Sequence, residues 1–336
     1  MTSQEAVLKF FTGGPGERVG LWLGQPHSDT DRLYCEHFGV DEFEGVRQLL
    51  KDDCRWVMAD MFYRHPEGVP MFDIYGGKER RSHGQHGVFA DTDSIAEVEA
   101  HPWPDPKYLD LASLKTALNR HEKYMRFGGS WSCFYHIVAD YFGMENYFIK
   151  MHSQPEIVEA VTDHVVNYYL AANEQIFRAA GDQIDAFFFG NDFGSQLDLM
   201  ISPDMFHRFV MPYFRKLVDQ AKSFDLPVML HSCGSIYRVI PSLIDAGVDA
   251  LHPLQARAAN MEAERLAREF KGKITFVGGV DTQDLLVNGS PQDIRDEVYR
   301  LRDLFGERFI VSPSHEALLP NVPAENCAAM AEAALE

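Results

Sequence analysis

Residues 226–235 read LPVMLHSCGS. An apolar run from Leu226 to Leu230 leads into His231, and the chain then turns polar through Ser232, Cys233 and Gly234. Near-continuous apolarity over a strand's length suits a strand covered on both faces, as in a parallel sheet. The pattern recurs in RVGLWLG (18–24), CRWVMA (54–59), MRFGG (125–129), IDAFFFG (184–190), VDALHP (248–253), ITFVGG (274–279) and RFIVSP (308–313), which with LPVMLH (226–231) makes eight predicted strands. Helical patterns separate the last five, among them SPDMFHRFVMPYFRKLVDQAKSF, IYRVIPSLIDAG and SPQDIRDEVYRLRDLFG. Ser202-Pro203-Asp204 and Ser290-Pro291 with Asp293 read as helix starts, with a capping hydroxyl, a first-turn Pro and an acid matched to the helix dipole.

Eight parallel strands with intervening helices predict an α/β fold of the (β/α)8 TIM type. The N-terminal half is less regular. Between the second and third runs lie DIYGGKERRSHGQHG (73–87) and HPWPDP (101–106), a stretch too long for an ordinary βα loop, which predicts a lid or hairpin excursion with His83 and His86 as solvated lid residues. No repeat beyond the βα period and no low-complexity linker divides the chain, so residues 1–336 are expected to form a single domain.

Composition narrows the function classes. With 46% hydrophobic, 12% aromatic and 24% charged residues the chain reads as a soluble globular protein, and no run approaches the ~18 apolar residues of a membrane helix. The start, MTSQEAVLKFFTGGPGERVG, lacks a basic region followed by an apolar core, so a cytoplasmic protein is expected. Lys and Arg total 31 against 50 for Asp and Glu, a net charge of −19 that repels a phosphate backbone and argues against nucleic acid. The cysteines at 35, 54, 133, 233 and 327 are odd in number, with no Cys-x-x-Cys pair, which points to a ligand or thiolate role for any special one rather than a disulfide framework.

In a (β/α)8 barrel the active site gathers at the C-terminal ends of the strands. There the sequence places Gly128-Gly129-Ser130-Trp131, Gly190-Asn191-Asp192 with Ser195-Gln196, His231-Ser232-Cys233-Gly234, His252-Pro253-Leu254-Gln255, Gly278-Gly279-Val280-Asp281 and Pro313-Ser314-His315. Residues i and i+2 of an extended segment point the same way, so His231 and Cys233 both address the mouth, and His315 reaches the same space where the barrel closes. Imidazole with thiolate suits Zn²⁺, and a catalytic zinc keeps three protein ligands and an open position. Asp192 or Gln255 would add an oxygen donor. Zinc-bound thiolate or water is a nucleophile near neutral pH.

Structural readings compete at each position. With 14 His and 5 Cys, a His-x-Cys pair arises by chance in roughly one such chain in five, so its place on a strand end carries the weight. A His there can bond a neighbouring loop, and Cys is a common small core residue. Asp192 and Asp281 also suit turns or helix caps, and His252 before Pro253 suits a structural role. Trp131, Tyr135, Asn191 and Gln196 are candidates for substrate contact, although WSCFYHI, which carries Cys133, Tyr135 and His136, also reads as core.

HSCGS followed by DAGVDALHPLQ, then GGVDTQDLL, then SPSHEALLPNVPAEN resemble the uroporphyrinogen decarboxylase superfamily, and more closely its methyltransferase-like branch, which includes the methylcobamide:coenzyme M methyltransferases. GGSWSCFYH with YFGMENYF, FGNDFGSQ with ISPDMFHRFVMPYFRKL, and WVMADMFYR extend the likeness over nearly the whole chain. The resemblance implies a zinc held by His-x-Cys on strand five and a third ligand, usually Cys, after strand eight, activating a thiol acceptor. His231 and Cys233 match, and the third position falls at His315. One thiolate fewer leaves a more electrophilic metal and weighs against coenzyme M as acceptor. The early segment GERVGLWLGQPHSDTDRLYCEHFG has no Arg-x-x-Gly-Arg cluster to grip the carboxylates of a porphyrinogen, which weighs against that substrate. No Asp-x-His-x-x-Gly motif occurs, so any corrinoid must arrive on a separate protein or as a free ligand. A homodimer is also implied by the resemblance.

The expected function is therefore zinc-dependent methyl or alkyl transfer at the barrel mouth, with His231, Cys233 and His315 as ligands. Asp192, Gln255 and Asp281 are the catalytic candidates, the first two orienting acceptor or substrate and Asp281 anchoring the strand-seven loop. A decarboxylase, lyase or metal-dependent hydrolase acting on a small carboxylated or aromatic substrate is a second reading. A non-catalytic tetrapyrrole or corrinoid binder is a third.

Overall fold

The structure is a computed structural model that describes residues 9, 11, 18–79, 82 and 85–336; His83 and most of the N-terminal stretch 1–17 lie outside them. Eight strands run parallel: β1 Gly20–Leu21, β2 Cys54–Trp56, β3 Met125–Gly128, β4 Ala186–Gly190, β5 Val228–His231, β6 Ala250–Leu254, β7 Thr275–Val280 and β8 Phe309–Pro313. Their order in the sheet is β1-β8-β7-β6-β5-β4-β3-β2, with helices between, so the fold is the predicted (β/α)8 barrel and each predicted run holds its strand. No helix among the described residues is long and apolar enough to cross a membrane.

Alternation along the strands separates two cores. Cys54, Met125, Phe127, Ala186, Phe188, Met229, Ala250, Val277 and Ile310 pack with Trp22 inside the barrel. Their neighbours in sequence, such as Phe187, Phe189, Val228, Leu230, Leu251 and Phe276, pack outward under the helices. Trp22 meets Phe127 and Phe188 edge to face at 5.1 and 5.4 Å between ring centres.

The helix starts form as the sequence predicts. The Ser290 hydroxyl accepts from the Asp293 N–H, the Asp293 carboxylate accepts from the Ser290 N–H, and Pro291 opens the helix Pro291–Phe305. Ser202 accepts from the Met205 N–H at the head of Pro203–Phe209. The long pattern after Ser202 divides at Val210 into that helix and Met211–Ser223, because Pro212 has no N–H to continue the ladder and its ring crowds the preceding turn.

The irregular N-terminal half shows in two places. No ladder joins β1 to β2. Instead the Asp53 N–H donates to the Leu21 carbonyl at 3.0 Å, the Asp53 carboxylate accepts the Leu21 N–H at 2.9 Å, and Arg18 binds that carboxylate through both terminal nitrogens at 2.8 and 2.7 Å. Asp52, ion-paired with Arg47, accepts the Leu23 N–H alongside. The second irregularity is the excursion between β2 and β3, whose described residues form a 3-10 turn at Ala59–Phe62, the helices Ile95–Glu99 and Leu111–Asn119, and one antiparallel bridge between Tyr63 and Leu109. It lies on the helices Phe134–Phe142 and Pro155–Ala180: the Phe89 N–H donates to the Tyr141 carbonyl, and Trp103 stacks on His164 at 4.6 Å.

The buried seam carries a specific expectation. Asp53→Asn leaves the Arg18 guanidinium without its counter-charge, and should lower the unfolding free energy by about 3 kcal/mol, the lower end for breaking a buried pair because Arg18 is partly exposed. Urea unfolding followed by circular dichroism would show an earlier midpoint; an unchanged midpoint would mean that barrel closure does not depend on this pair.

Candidate metal centre and the cleft beside it

His231 stands two residues above Met229 on the inner face of β5, one layer over the dry interior. Its ring is buried between Trp131 and His252, whose centres lie 5.4 and 5.1 Å away. The Nδ1 atoms of His231 and His252 are 3.1 Å apart, so one donates and the other accepts. The other edge of the ring faces the mouth. Around Nε2 stand Asp192 Oδ1 at 3.2 Å, Cys233 Sγ at 3.4 Å and Glu316 Oε2 at 3.8 Å.

The loops that carry these groups are tied to one another. The Cys233 N–H donates to Asp192 Oδ1 at 2.8 Å, and the Gly234 N–H donates to Gln255 Oε1 at 2.8 Å, so the β5 loop is gripped from β4 on one side and β6 on the other. Gly234 has φ +84° and a side chain there would strike the Gly194 backbone at 2.4 Å. Asn191 accepts the Tyr135 N–H and donates to the Ser132 carbonyl, locking the β3 loop to the β4 end. Gly190 lets Trp131 close over β4, since any Cβ would sit 2.1 Å from its ring.

Charge in this cluster is unbalanced. Burial would lower the pKa of His231, but the hydrogen bond it donates to Asp192 and the charge of Glu316 outweigh it and raise the value. Burial would raise that of Asp192, but the His231 bond and the Cys233 N–H hold it well below the usual carboxylate range. Burial, with the charges of Asp192 and Glu316, pushes the Cys233 thiol far above its ordinary value. His252, buried and beside His231, is held neutral well below its ordinary value. Two carboxylates and a thiol around one imidazole favour a cation among them.

The donor atoms form two groups that meet at Cys233: Asp192, His231 and Cys233, and Cys233, His315 and Glu316, each with its ligand atoms within 4.8 Å of one another. His315 thus stands beside Cys233 as the sequence predicts, but in the second group; its Nδ1 accepts the Ala317 N–H at 3.1 Å, and its side chain is 39% exposed. Sequence reasoning missed Glu316. Its Oε2 is buried and makes no hydrogen bond among the described residues, a costly state for a carboxylate oxygen unless something else binds it. The only signal in sequence is an acid following His315 after a strand end.

The other predicted residues divide by what they touch. Asp281 is engaged by its own turn and by Arg257: it accepts the N–H groups of Gln283, Asp284 and Leu285 and the Arg257 Nε–H, which makes it an anchor of the β7 loop. Tyr135 is buried, with its ring against Tyr147 and Phe193. Gln196 donates to Gln255 Oε1 at 3.3 Å, and both line a cleft of about 530 Å³ that His315 shares with the cluster. Asp60 is a second missed residue. It accepts the Ser130 hydroxyl and the Trp131 N–H, both at 2.5 Å, and so sets the ring that backs His231.

Fold and site together define a (β/α)8 protein with a His, Cys and carboxylate cluster at the catalytic end of the barrel. Residues 111–336 match the uroporphyrinogen decarboxylase (URO-D) family, most of the chain, and the protein belongs to that family. Among curated proteins it is similar to the methylcobamide:CoM methyltransferase of Methanosarcina acetivorans, 21% identical over 50% of this chain and 46% of the relative. The enzyme of that name from Methanosarcina mazei is 23% identical over 47% and 43%. A methylated-thiol–coenzyme M methyltransferase of M. mazei is 27% identical over 45% and 38%, so the match spans under half of each relative's length. In fold the chain is similar to a solved methyltransferase from M. mazei, with a TM-score of 0.71 and 16% identity over 99% of this chain and 98% of that one.

Gly234→Ala tests how tightly the cluster is built. With a positive φ and a backbone contact at 2.4 Å, the substitution should cost about 2 kcal/mol or more in chemical denaturation. A cost near zero would show that the β5 loop has room to move.

Proposed function

We propose that the protein is a zinc-dependent methyl or alkyl transferase that delivers the group to a thiol at the barrel mouth, the donor being a corrinoid carried by a separate protein. The observation that supports this most directly is the spacing around His231 Nε2. Donor atoms on a tetrahedral zinc with bonds of about 2.0–2.3 Å lie roughly 3.3–3.8 Å apart. Asp192 Oδ1, Cys233 Sγ and Glu316 Oε2 lie 3.2, 3.4 and 3.8 Å from Nε2, and Glu316 Oε2, which also stands 3.4 Å from His315 Nδ1, accepts no hydrogen bond among the described residues. The relatives' names supply the methyl-transfer chemistry.

His231 and Cys233 would hold the metal with one or both of Glu316 and Asp192, and His315 is the alternative third ligand beside Cys233. When bound, zinc supplies a Lewis acid that keeps a thiol deprotonated at neutral pH. The chain's own residues do the rest. His252 fixes the orientation of the His231 ring, Gln255 holds Gly234 and thereby Cys233, and Trp131, set by Asp60, packs against the His231 ring. The cleft takes the acceptor. In the transfer the thiol proton leaves to solvent, sulfur forms its bond to carbon, and the donor keeps the electron pair of the bond that breaks.

Metal analysis by mass spectrometry after dialysis against a weak chelator tests this reading. Wild type is expected to retain about one zinc per chain; Cys233→Ser and Glu316→Gln should lose it, and His315→Ala should lose less. Loss in His315→Ala with retention in Glu316→Gln would restore the ligand set His231, Cys233 and His315. No zinc in wild type after reconstitution, or metal-dependent turnover with no thiol present, would overturn the proposal.

A further inference from the structure

The cleft beside the cluster carries a charge pattern of its own. Its wall presents the amides of Gln196, Gln255, Gln283 and Asn321 and the hydroxyls of Thr282 and Ser314. Its lining includes one guanidinium, Arg257, and that group is taken. The Arg257 Nε–H donates to Asp281 Oδ2 at 2.8 Å and an Nη2–H donates to Asp284 Oδ2 at 2.7 Å, two carboxylates to one cation. Asp281 is itself buried and pinned by three backbone N–H groups, so the pairing is set before any ligand arrives. In the zinc-loaded protein the metal would offset the carboxylates of Asp192 and Glu316 at the neighbouring cluster, so the cleft's own lining sets its charge preference. An anion entering the cleft would therefore meet no unpaired Lys or Arg among its lining residues.

Hydrogen-bonding capacity is what remains. Gln196 and Gln255 bond each other through one amide group apiece, and the side chains of Gln283 and Asn321 have no hydrogen-bond partner among the described residues. Thr282 and Ser314 pair at 3.2 Å, and the Thr282 N–H donates to the Ser314 hydroxyl. Such a wall matches a molecule rich in hydroxyl or amide groups.

We propose that the acceptor's body in this cleft is uncharged and hydrogen-bonding, a hydroxyl- or amide-bearing thiol, and that the Arg257–Asp281–Asp284 arrangement selects against thiols that carry a sulfonate or carboxylate. This rests on the thiol-acceptor reading above. It departs from the coenzyme M named for the relatives, whose sulfonate would need a free cation.

The test compares thiols of similar size on the zinc-loaded full chain, with methylcobalamin as methyl source. The neutral 2-mercaptoethanol and 1-thioglycerol should exceed the anionic 2-mercaptoethanesulfonate at least tenfold in kcat/KM, with the gap narrowing at high salt. Asp284→Asn, which keeps an acceptor oxygen for the Asn288 amide while removing one charged partner of Arg257, should narrow the gap at least threefold. Equal rates or a preference for the sulfonate in wild type would overturn the inference. If no thiol is methylated, the transfer reading fails and calorimetric binding of the same thiols decides this point alone. Thioglycerol binding at least tenfold tighter than the sulfonate would sustain the inference, and equal affinity or no thioglycerol binding would overturn it.

Discussion

The placement of one buried imidazole on top of a dry barrel interior is the constraint on which the rest of the site depends. Met229 lies in the sealed layer with Trp22 and Phe188, and the two-residue period of β5 puts His231 directly above it. Trp131 and His252 flank the ring, so Nε2 has one direction to face. A polar ring out of water needs partners on both edges. His252 supplies one, and the β4, β5 and β8 loops supply Asp192, Cys233 and Glu316 for the other.

Much of the barrel was legible because parallel strands covered on both faces leave near-continuous apolar runs, and all eight were visible. The weak points had physical causes. β1 is only two residues long, because side chains of Asp52 and Asp53 do the work of a ladder there, and a carboxylate in that role looks like any other acid in sequence. Periodicity over 203–223 ran through Pro212, where the helix divides. The excursion between β2 and β3 shows little period because its helices, Ile95–Glu99 and Leu111–Asn119, are short and the stretches around them are held by single contacts such as Trp103 on His164.

The site was legible to the extent that alternation decides it. His231 and Cys233 follow from i, i+2 spacing, and His315 from its place after the last strand. Glu316 did not stand out among 50 acidic residues; what distinguishes it is a buried oxygen with no hydrogen-bond partner among the described residues, which only three dimensions reveal. Polar residues at strand ends also looked alike in sequence, although Asn191 bonds the β3 loop and Asp281 its own turn and Arg257, while Gln196 and Gln255 reach the cleft. A side chain that ties loops together and one that meets a ligand share the same residue types. Contacts across the barrel separate them.

X-ray absorption at the zinc K-edge of the zinc-loaded protein tests the central claim most directly, because it counts the atoms on the metal without reference to activity. The account predicts a four-coordinate shell with one sulfur at about 2.3 Å, from Cys233, and nitrogen or oxygen at about 2.0–2.1 Å, and loss of the sulfur in Cys233→Ser. A shell of oxygens alone, or a sulfur that survives that substitution, would contradict it.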